Sequence, residues 1–325
     1  MIEIELTNFF YKYIIIQEER VKNMDKEEFN KKEFKVFGFK FNLKYTIIGL
    51  CVAIALLAVL LIVDNFITKV SWYGVIIGSG FLVALFVALQ MLPTKGYKSE
   101  LAYDLLWWIF PFAIVGARAY FVILEKMPLF WDAFKIWNGG IAIYGGIIGG
   151  AIGAIICCLI KKVNIIKVFD VLAPCLIIGQ AIGRWGNFIN QEVYGFEVTN
   201  PAFQFFPISV YITRYGLNEW HLATFFYESI WNLAWFFVLV AICRKCKLHG
   251  VSTCVYLISY GFARYFLEGL RMKEFILAGN SGIPTSQLVS IACVVIGCVG
   301  LITILIMRMQ KNKKVEGEKN QTKQD

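Results

Sequence analysis

Long apolar segments recur along the chain and are separated by short polar connections. A helix needs roughly 20 apolar residues to cross the hydrocarbon core of a bilayer. Eight segments are close to that length: 46–63, 71–92, 103–124, 139–160, 168–184, 224–243, 251–267 and 284–307. The pattern predicts an all-α polytopic membrane protein with about eight transmembrane helices.

Composition agrees with this interpretation, because 58% of the residues are hydrophobic and only 17% are charged. The lysines and arginines lie unevenly between the connections: 23 fall on the side that holds both chain ends, and 6 on the other. Basic residues are retained on the cytoplasmic side during insertion, so both termini are expected in the cytoplasm. The net charge of +9 then follows from topology and attraction to anionic lipid, and does not indicate nucleic acid binding.

Three segments lie outside the apolar pattern. Residues 1–44 are charged throughout, without the apolar core of a signal peptide, and are expected to form a cytoplasmic extension. Residues 185–222 form the longest connection on the non-cytoplasmic side and predict a small head. Residues 309–325 read as a basic cytoplasmic tail.

The fourth apolar segment is rich in glycine. Gly145, Gly149 and Gly153 have the spacing that lets helix backbones approach closely, which would explain them by packing alone. Two glycine pairs, however, flank residues 141–144 where the chain enters the membrane. Irregular backbone at such a place must line a protein or water cavity, so a polar cavity near the outer face is expected.

No metal site is expected. Nine cysteines lie in or beside the apolar segments, where a thiol behaves as a small apolar group. Cys243, Cys246 and His249 are close in sequence, but no fourth zinc ligand is evident.

A dense group of polar residues occupies 183–195. It contains Arg184, Asn187, Asn190 and Glu192 together with three glycines. The guanidinium offers a planar set of donors that suits phosphate oxygens, and glycine permits close backbone approach. A purely structural loop would seldom need all of these at a lipid boundary, so this segment is the first candidate site.

A second group is spaced by 4, 4 and 3 residues, which places its members on one helical face: Tyr260, Arg264, Glu268 and Arg271. Such a row could hold one cation in place and leave another for an anion, or it could be an interhelical salt-bridge network. Tyr227 and Glu228 could contribute to the same cavity. Arg118 lies deeper in its segment, where an ion pair and a ligand contact are both compatible with the sequence.

These motifs resemble the bacterial prolipoprotein diacylglyceryl transferases. The run from Gly183 to Glu192, closed by Gly195, is similar to the family signature almost position by position, and the matching motifs follow in the family's order over residues 66–308. Residues 45–65 then read as one additional helix before a catalytic core at 66–308. Tyr144 stands where many members have histidine, so a histidine base is excluded there.

The resemblance implies transfer of diacylglyceryl from phosphatidylglycerol to the lipobox cysteine of prolipoprotein signal peptides, at the outer leaflet of the bacterial cell membrane, without a cofactor. The residues it implicates in catalysis are Arg184, Arg264, Tyr144, Glu192 and Glu268. Those implicated in binding the phospholipid are Arg184, Asn187, Asn190, Gly195, Tyr260, Arg271, Tyr73 and Arg118.

Roles can be assigned within that set. Arg184 and Arg264 are expected to stabilise charge developing on the phosphate, while Glu192 and Glu268 orient these arginines. Tyr144 has an ordinary pKa of about 10, which makes it a poor base at neutral pH. A transporter and a non-catalytic lipid-binding protein would also use intramembrane Arg and Glu, but neither explains the ordered set of motifs.

Overall fold

The computed structural model describes residues 33–36, 39–42, 72–124, 142–272 and 284–321. The chain falls into two compact units, residues 1–71 and 72–325. In the first unit, β1 (Glu33–Val36) and β2 (Phe39–Asn42) form an antiparallel pair in which Glu33 lies opposite Asn42. The hairpin lies within the predicted extension 1–44. The predicted helix at 45–65 falls outside the described residues.

The second unit is helical. Within its described part, the helices are α1 (Trp72–Met91), α2 (Leu101–Leu124), α3 (Ile143–Ile160), α4 (Ile165–Ile189), α5 (Thr224–Lys245), α6 (Val251–Gly269) and α7 (Thr285–Gln321). All except α6 are long and apolar enough to cross a membrane. The helix α6 is less apolar because it carries Arg264 and Glu268. The all-α polytopic architecture is thereby confirmed.

The helices match seven of the eight predicted segments, with two differences at their ends. Helix α4 continues past residue 184 to Ile189, so Asn187 is helical rather than part of the head connection. Helix α7 continues to Gln321 and includes most of the segment that was interpreted as a separate basic tail. Polar residues at these ends mask the helical continuation in a hydropathy pattern.

Helices α2 and α3 pack backbone to backbone through glycine. A Cβ atom added at Gly149 would lie 2.1 Å from the carbonyl oxygen of Phe112, and one added at Gly145 would lie 2.3 Å from that of Gly116. These distances confirm the close approach predicted from the glycine spacing. The glycine pair at 139–140 lies outside the described residues.

A small head connects α4 to α5 over residues 190–223. Its strands β3 (Ser209–Ile212) and β4 (Glu219–Leu222) pair in antiparallel fashion, with Val210 opposite His221. Its apolar core contains Tyr194, Val210, Ile212, Ala223 and Phe225. A head was predicted for this connection, although the prediction began it at residue 185.

The opposite end of the bundle holds two acidic side chains of the helices. Asp170 is fully buried and accepts hydrogen bonds from the backbone N–H groups of Gly250 and Thr253, which caps the start of α6. Asp104 pairs with Lys161 at 2.7 Å and is partly exposed. Both carboxylates are accounted for by structure.

Candidate active site

Three arginines and two glutamates meet in a buried group at the head end of the bundle. The group, called here the arginine cluster, consists of Arg184 on α4, Glu228 on α5, Arg264 and Glu268 on α6, and Arg271 just beyond α6. Three helices, together with the residues that follow α6, therefore converge on one place. The two candidate groups of the sequence form a single site.

Glu228 is the centre of the arginine cluster. Its carboxylate oxygens lie 2.7 Å from Nη2 of Arg184, 3.4 Å from Nη2 of Arg271 and 3.7 Å from Nη1 of Arg264. Only 3% of its side chain is exposed. One carboxylate thus fixes all three guanidinium groups relative to one another.

Glu268 provides the second anion. Its Oε2 lies 3.0 Å from Nη2 of Arg264 and 3.1 Å from Nη1 of Arg271. These pairs have the i to i+4 and i to i+3 spacing that the sequence indicated. Three guanidiniums against two carboxylates leave the arginine cluster with one excess positive charge.

Part of the arginine cluster is available to bind an anion. Nη1 of Arg264 is buried and forms no hydrogen bond to any described residue. Burial, followed by the charges of Arg264 and Arg184, lowers the pKa of Arg271 to about 10, so this side chain remains cationic at neutral pH. A buried donor beside excess positive charge is suited to a phosphate oxygen.

A polar network continues from the arginine cluster towards the head. Oδ1 of Asn187 accepts a hydrogen bond of 3.4 Å from Arg184, while its Nδ2 donates to Glu192 at 3.1 Å. Asn190 also donates to Glu192, at 3.4 Å. Glu192 therefore reaches Arg184 through Asn187. The sequence had predicted that Glu192 orients the arginines.

The partner of Glu192 on the head is Arg214. Its Nη1 lies 3.9 Å from Glu192 and also donates to the carbonyl oxygen of Asn190. A surface cavity of about 400 Å³ adjoins these groups and is lined by Ile189, Asn190, Gln191, Thr213 and Arg214. Asn187, Asn190 and Glu192 thus join the arginine cluster to an accessible surface.

Three tyrosines among the predicted residues lie at this end of the bundle. Tyr144, in the first turn of α3, is within electrostatic range of Arg264 and Glu268. Tyr260 is within such range of Glu228 and Arg264. Tyr73 packs against α4, where a Cβ atom at Gly186 would lie 2.7 Å from its ring.

Two other predicted residues have different surroundings. Gly195 contributes backbone: it forms an isolated β-bridge with Arg271, and a Cβ atom there would lie 2.9 Å from the carbonyl oxygen of Leu270. This geometry favours a role in placing Arg271 over direct contact with lipid. Arg118 is buried on α2, with its guanidinium 5.5 Å from the centroid of the Phe121 ring.

Glu228 and Arg214 contribute to the site, although neither was among the residues predicted for catalysis or phospholipid binding. Glu228 is the only charged residue between 224 and 243, and a lone carboxylate in a membrane span normally marks function. That signal was available, although its three partners on other elements were not. Arg214 follows a four-residue strand in the head, and nothing local ties it to Glu192.

Cysteine and histidine side chains are the other potential metal ligands of the chain. Among the residues the structure describes, which include Cys243, Cys246 and His249, no three or more His, Cys, Asp or Glu side chains come close enough to hold an ion. Cys243 is buried.

The fold and the arginine cluster define an integral membrane protein with a buried, positively charged site. The family model described as prolipoprotein diacylglyceryl transferase matches residues 44–303. The chain therefore belongs to the prolipoprotein diacylglyceryl transferase family. The matched range begins before residue 66 and so includes the segment 45–65, whose separation from the catalytic core stays a prediction.

Individual relatives agree with the family. A Clostridium perfringens protein named phosphatidylglycerol–prolipoprotein diacylglyceryl transferase 1 is 39% identical over 250 residues, which cover 76% of this chain and 94% of the relative. A Streptococcus agalactiae protein named as such a transferase is 40% identical over 241 residues, 72% of this chain and 91% of its own length. A Listeria innocua protein with that name is 40% identical over 251 residues, 74% and 87% respectively.

Proposed function

We propose that this chain is a transferase that moves the diacylglyceryl group of phosphatidylglycerol to a prolipoprotein, the first modification in lipoprotein maturation. Membership of the family supports the activity, and the relatives' names supply the two substrates. The structural observation that supports the proposal is the arginine cluster, in which the arginines predicted to bind phosphate lie close together.

The acceptor is the thiol of the lipobox cysteine in the signal peptide of the precursor. Its sulfur attacks the glycerol carbon that is esterified to phosphate, and a thioether bond forms as the carbon–oxygen bond breaks. The electron pair of that bond goes to the phosphate oxygen, and glycerol phosphate leaves. The thiol ionises before the attack, because the thiolate is the competent nucleophile, and its proton passes to water or to the departing phosphate.

Arg184 and Arg264 act on the leaving phosphate in this proposal. Negative charge grows on the phosphate oxygen as the bond breaks, and prepositioned cations stabilise such charge without reorganising. Glu228 and Glu268 hold the guanidiniums in place at 2.7 and 3.0 Å. Because the carboxylates neutralise two of three cations, the site binds an anion without trapping a doubly charged product.

The remaining predicted residues position the two substrates. Arg271, Asn187 and Asn190 lie on the head side of the arginine cluster, where the polar part of the phospholipid would emerge. Tyr144 and Tyr260 lie within electrostatic range of the arginine cluster, and Tyr73 packs against α4 at Gly186; these side chains can donate hydrogen bonds or confine the glycerol. Excess cationic charge near the thiol also favours its thiolate, so a dedicated base is not required.

The test uses purified protein with phosphatidylglycerol and a lipobox peptide, and follows glycerol phosphate release together with the peptide mass. A diacylglyceryl increase that disappears when the peptide cysteine is changed to serine is the expected result. Unmodified peptide with well-folded protein would overturn the proposal.

Arg184→Ala and Arg264→Ala test the assignment of the site. Each is expected to lower kcat by a factor of about 10² to 10³, the usual effect of removing one charge-stabilising donor. Lys161→Ala is the control, because Lys161 pairs with Asp104 at the opposite end of the bundle. Normal turnover by either arginine variant would remove that residue from the mechanism.

A further inference from the structure

Backbone hydrogen bonds connect the head to the segment that contains Arg271. The N–H of Gly195 donates to the carbonyl oxygen of Leu222 at the end of β4, and the N–H of Leu222 donates to that of Phe196, both at 3.0 Å. The N–H of Phe196 in turn donates to the carbonyl oxygen of Leu270 at 3.0 Å. The segment 195–197 therefore lies between β4 and residues 270–271, and forms one isolated β-bridge to each side, Glu197 to His221 and Gly195 to Arg271.

His221 supports the middle of this arrangement from inside the head. Its side chain is fully buried, and Nδ1 lies 3.0 Å from the carbonyl oxygen of Gly195. A carbonyl oxygen only accepts, so Nδ1 carries the hydrogen. The ring also packs on Tyr194 at 4.5 Å, and its Nε2 lies 3.5 Å from Glu219.

We propose that His221 is a positioning residue for Arg271, acting through the hydrogen bond from its Nδ1 to the carbonyl oxygen of Gly195. That carbonyl belongs to the residue bridged to Arg271. Arg271 is 5% exposed, and its guanidinium reaches both Glu228 and Glu268. A shift of the Gly195 backbone therefore moves a cation of the arginine cluster, although the hydrogen bonds and ion pairs described for His221 go to Gly195 and Glu219 rather than to the arginine cluster.

Position 221 allows a matched pair of substitutions. Asparagine places an amide N–H close to where Nδ1 lies, whereas glutamine places one further out, near Nε2. His221→Asn is expected to keep most of the activity. His221→Gln is expected to raise KM for phosphatidylglycerol by about 3- to 10-fold, as for the loss of one neutral hydrogen bond, with a smaller change in kcat.

A double-mutant cycle separates positioning from general stability. The cycle measures transferase activity, so it rests on the proposed function. If His221 acts through Arg271, the double variant that combines His221→Gln and Arg271→Ala will be no less active than the single variant Arg271→Ala. Independent losses that add would overturn the proposal, and so would equal damage from His221→Asn and His221→Gln.

The control is Ser209→Ala, which removes another buried side-chain hydrogen bond of the same head, from Ser209 to the carbonyl oxygen of Phe203 at 2.7 Å. It is expected to leave KM unchanged, because β3 lies on the far side of β4 from Arg271. An equal rise in KM would show that any damage to the head has this effect.

Amide hydrogen exchange tests the same proposal without turnover. His221→Gln should accelerate exchange of the Phe196 amide, and His221→Asn should not. Wild-type protein without transferase activity would refute the proposed function and leave this comparison valid. Unaltered Phe196 exchange in His221→Gln would refute the positioning role even in an active enzyme.

Discussion

At the scale of single residues, the site depends on incomplete charge neutralisation. Three buried guanidiniums alone would repel one another and would be costly to remove from water. Glu228 and Glu268 offset most of this cost and fix the geometry, and one positive charge remains. A phosphate group can then complete the balance when it binds.

Removal of Glu228 should reveal this balance. Glu228→Gln leaves three guanidiniums against one carboxylate, so the free energy of unfolding should fall by about 3–5 kcal/mol, as when one partner of a buried ion pair is lost. Added glycerol phosphate should restore part of the loss by binding the folded state. Thermal unfolding in detergent, with and without the anion, measures both effects.

Glu197→Gln is the matched control, since Glu197 is an exposed carboxylate of the head. It should change the melting temperature little, with no special response to glycerol phosphate. Equal stability of Glu228→Gln and Glu197→Gln would contradict the central role of Glu228.

The sequence was informative where the partners of a residue are local. Arg264 and Glu268 lie on one face of α6, as their spacing predicted, and Arg271 reaches Glu268 from just beyond the helix end rather than from the helix itself. The role of Glu228 depends on the packing of α4, α5 and α6, which no spacing encodes. The part of Gly195 depends on a backbone contact with residue 270 that is distant along the chain.

At the scale of elements, hydropathy located helices better than it located their ends. The apolar runs predicted seven described helices, because lipid demands long apolar segments. The end of α4 was missed since its last turn carries polar site residues. The strands of the head are only four residues long and pair across the connection, so local patterns could not specify them.

The α2–α3 contact permits a comparison of adjacent glycines. A Cβ atom at Gly149 would lie 2.1 Å from a backbone oxygen of α2, whereas at Gly150 the nearest atom would be 3.4 Å away, on the side chain of Ile109, which is an ordinary van der Waals distance. Gly149→Ala should therefore force the helices apart and lower the free energy of unfolding by about 1–3 kcal/mol or more.

Gly150→Ala is the control and should be nearly neutral, because only a side chain must adjust. Activity provides a second measurement: α3 carries Tyr144 in its first turn, so separation of α2 and α3 should also reduce turnover. Gly149→Ala protein as stable as Gly150→Ala protein would argue against backbone contact between these helices.

At the scale of the whole molecule, the predicted orientation follows from charge. The distribution of basic residues, 23 against 6, predicts that both ends of the chain lie on one side of the membrane and the head on the other. By the positive-inside rule, the head and the arginine cluster beside it are then predicted to lie at the outer leaflet. This is also where a precursor exported across the membrane would present its cysteine.

Reporter fusions test this orientation and the first predicted helix together. A fluorescent protein that matures only in the cytoplasm should fluoresce at either terminus, while a phosphatase active only outside should work when inserted in the head near residue 216, at the surface turn before β4. An even number of spans keeps both termini on one side. Because seven helices are described between residues 72 and 321, a cytoplasmic N-terminus requires another crossing before residue 72. Fluorescence at the C-terminus but not at the N-terminus would mean that residues 45–65 do not cross the membrane.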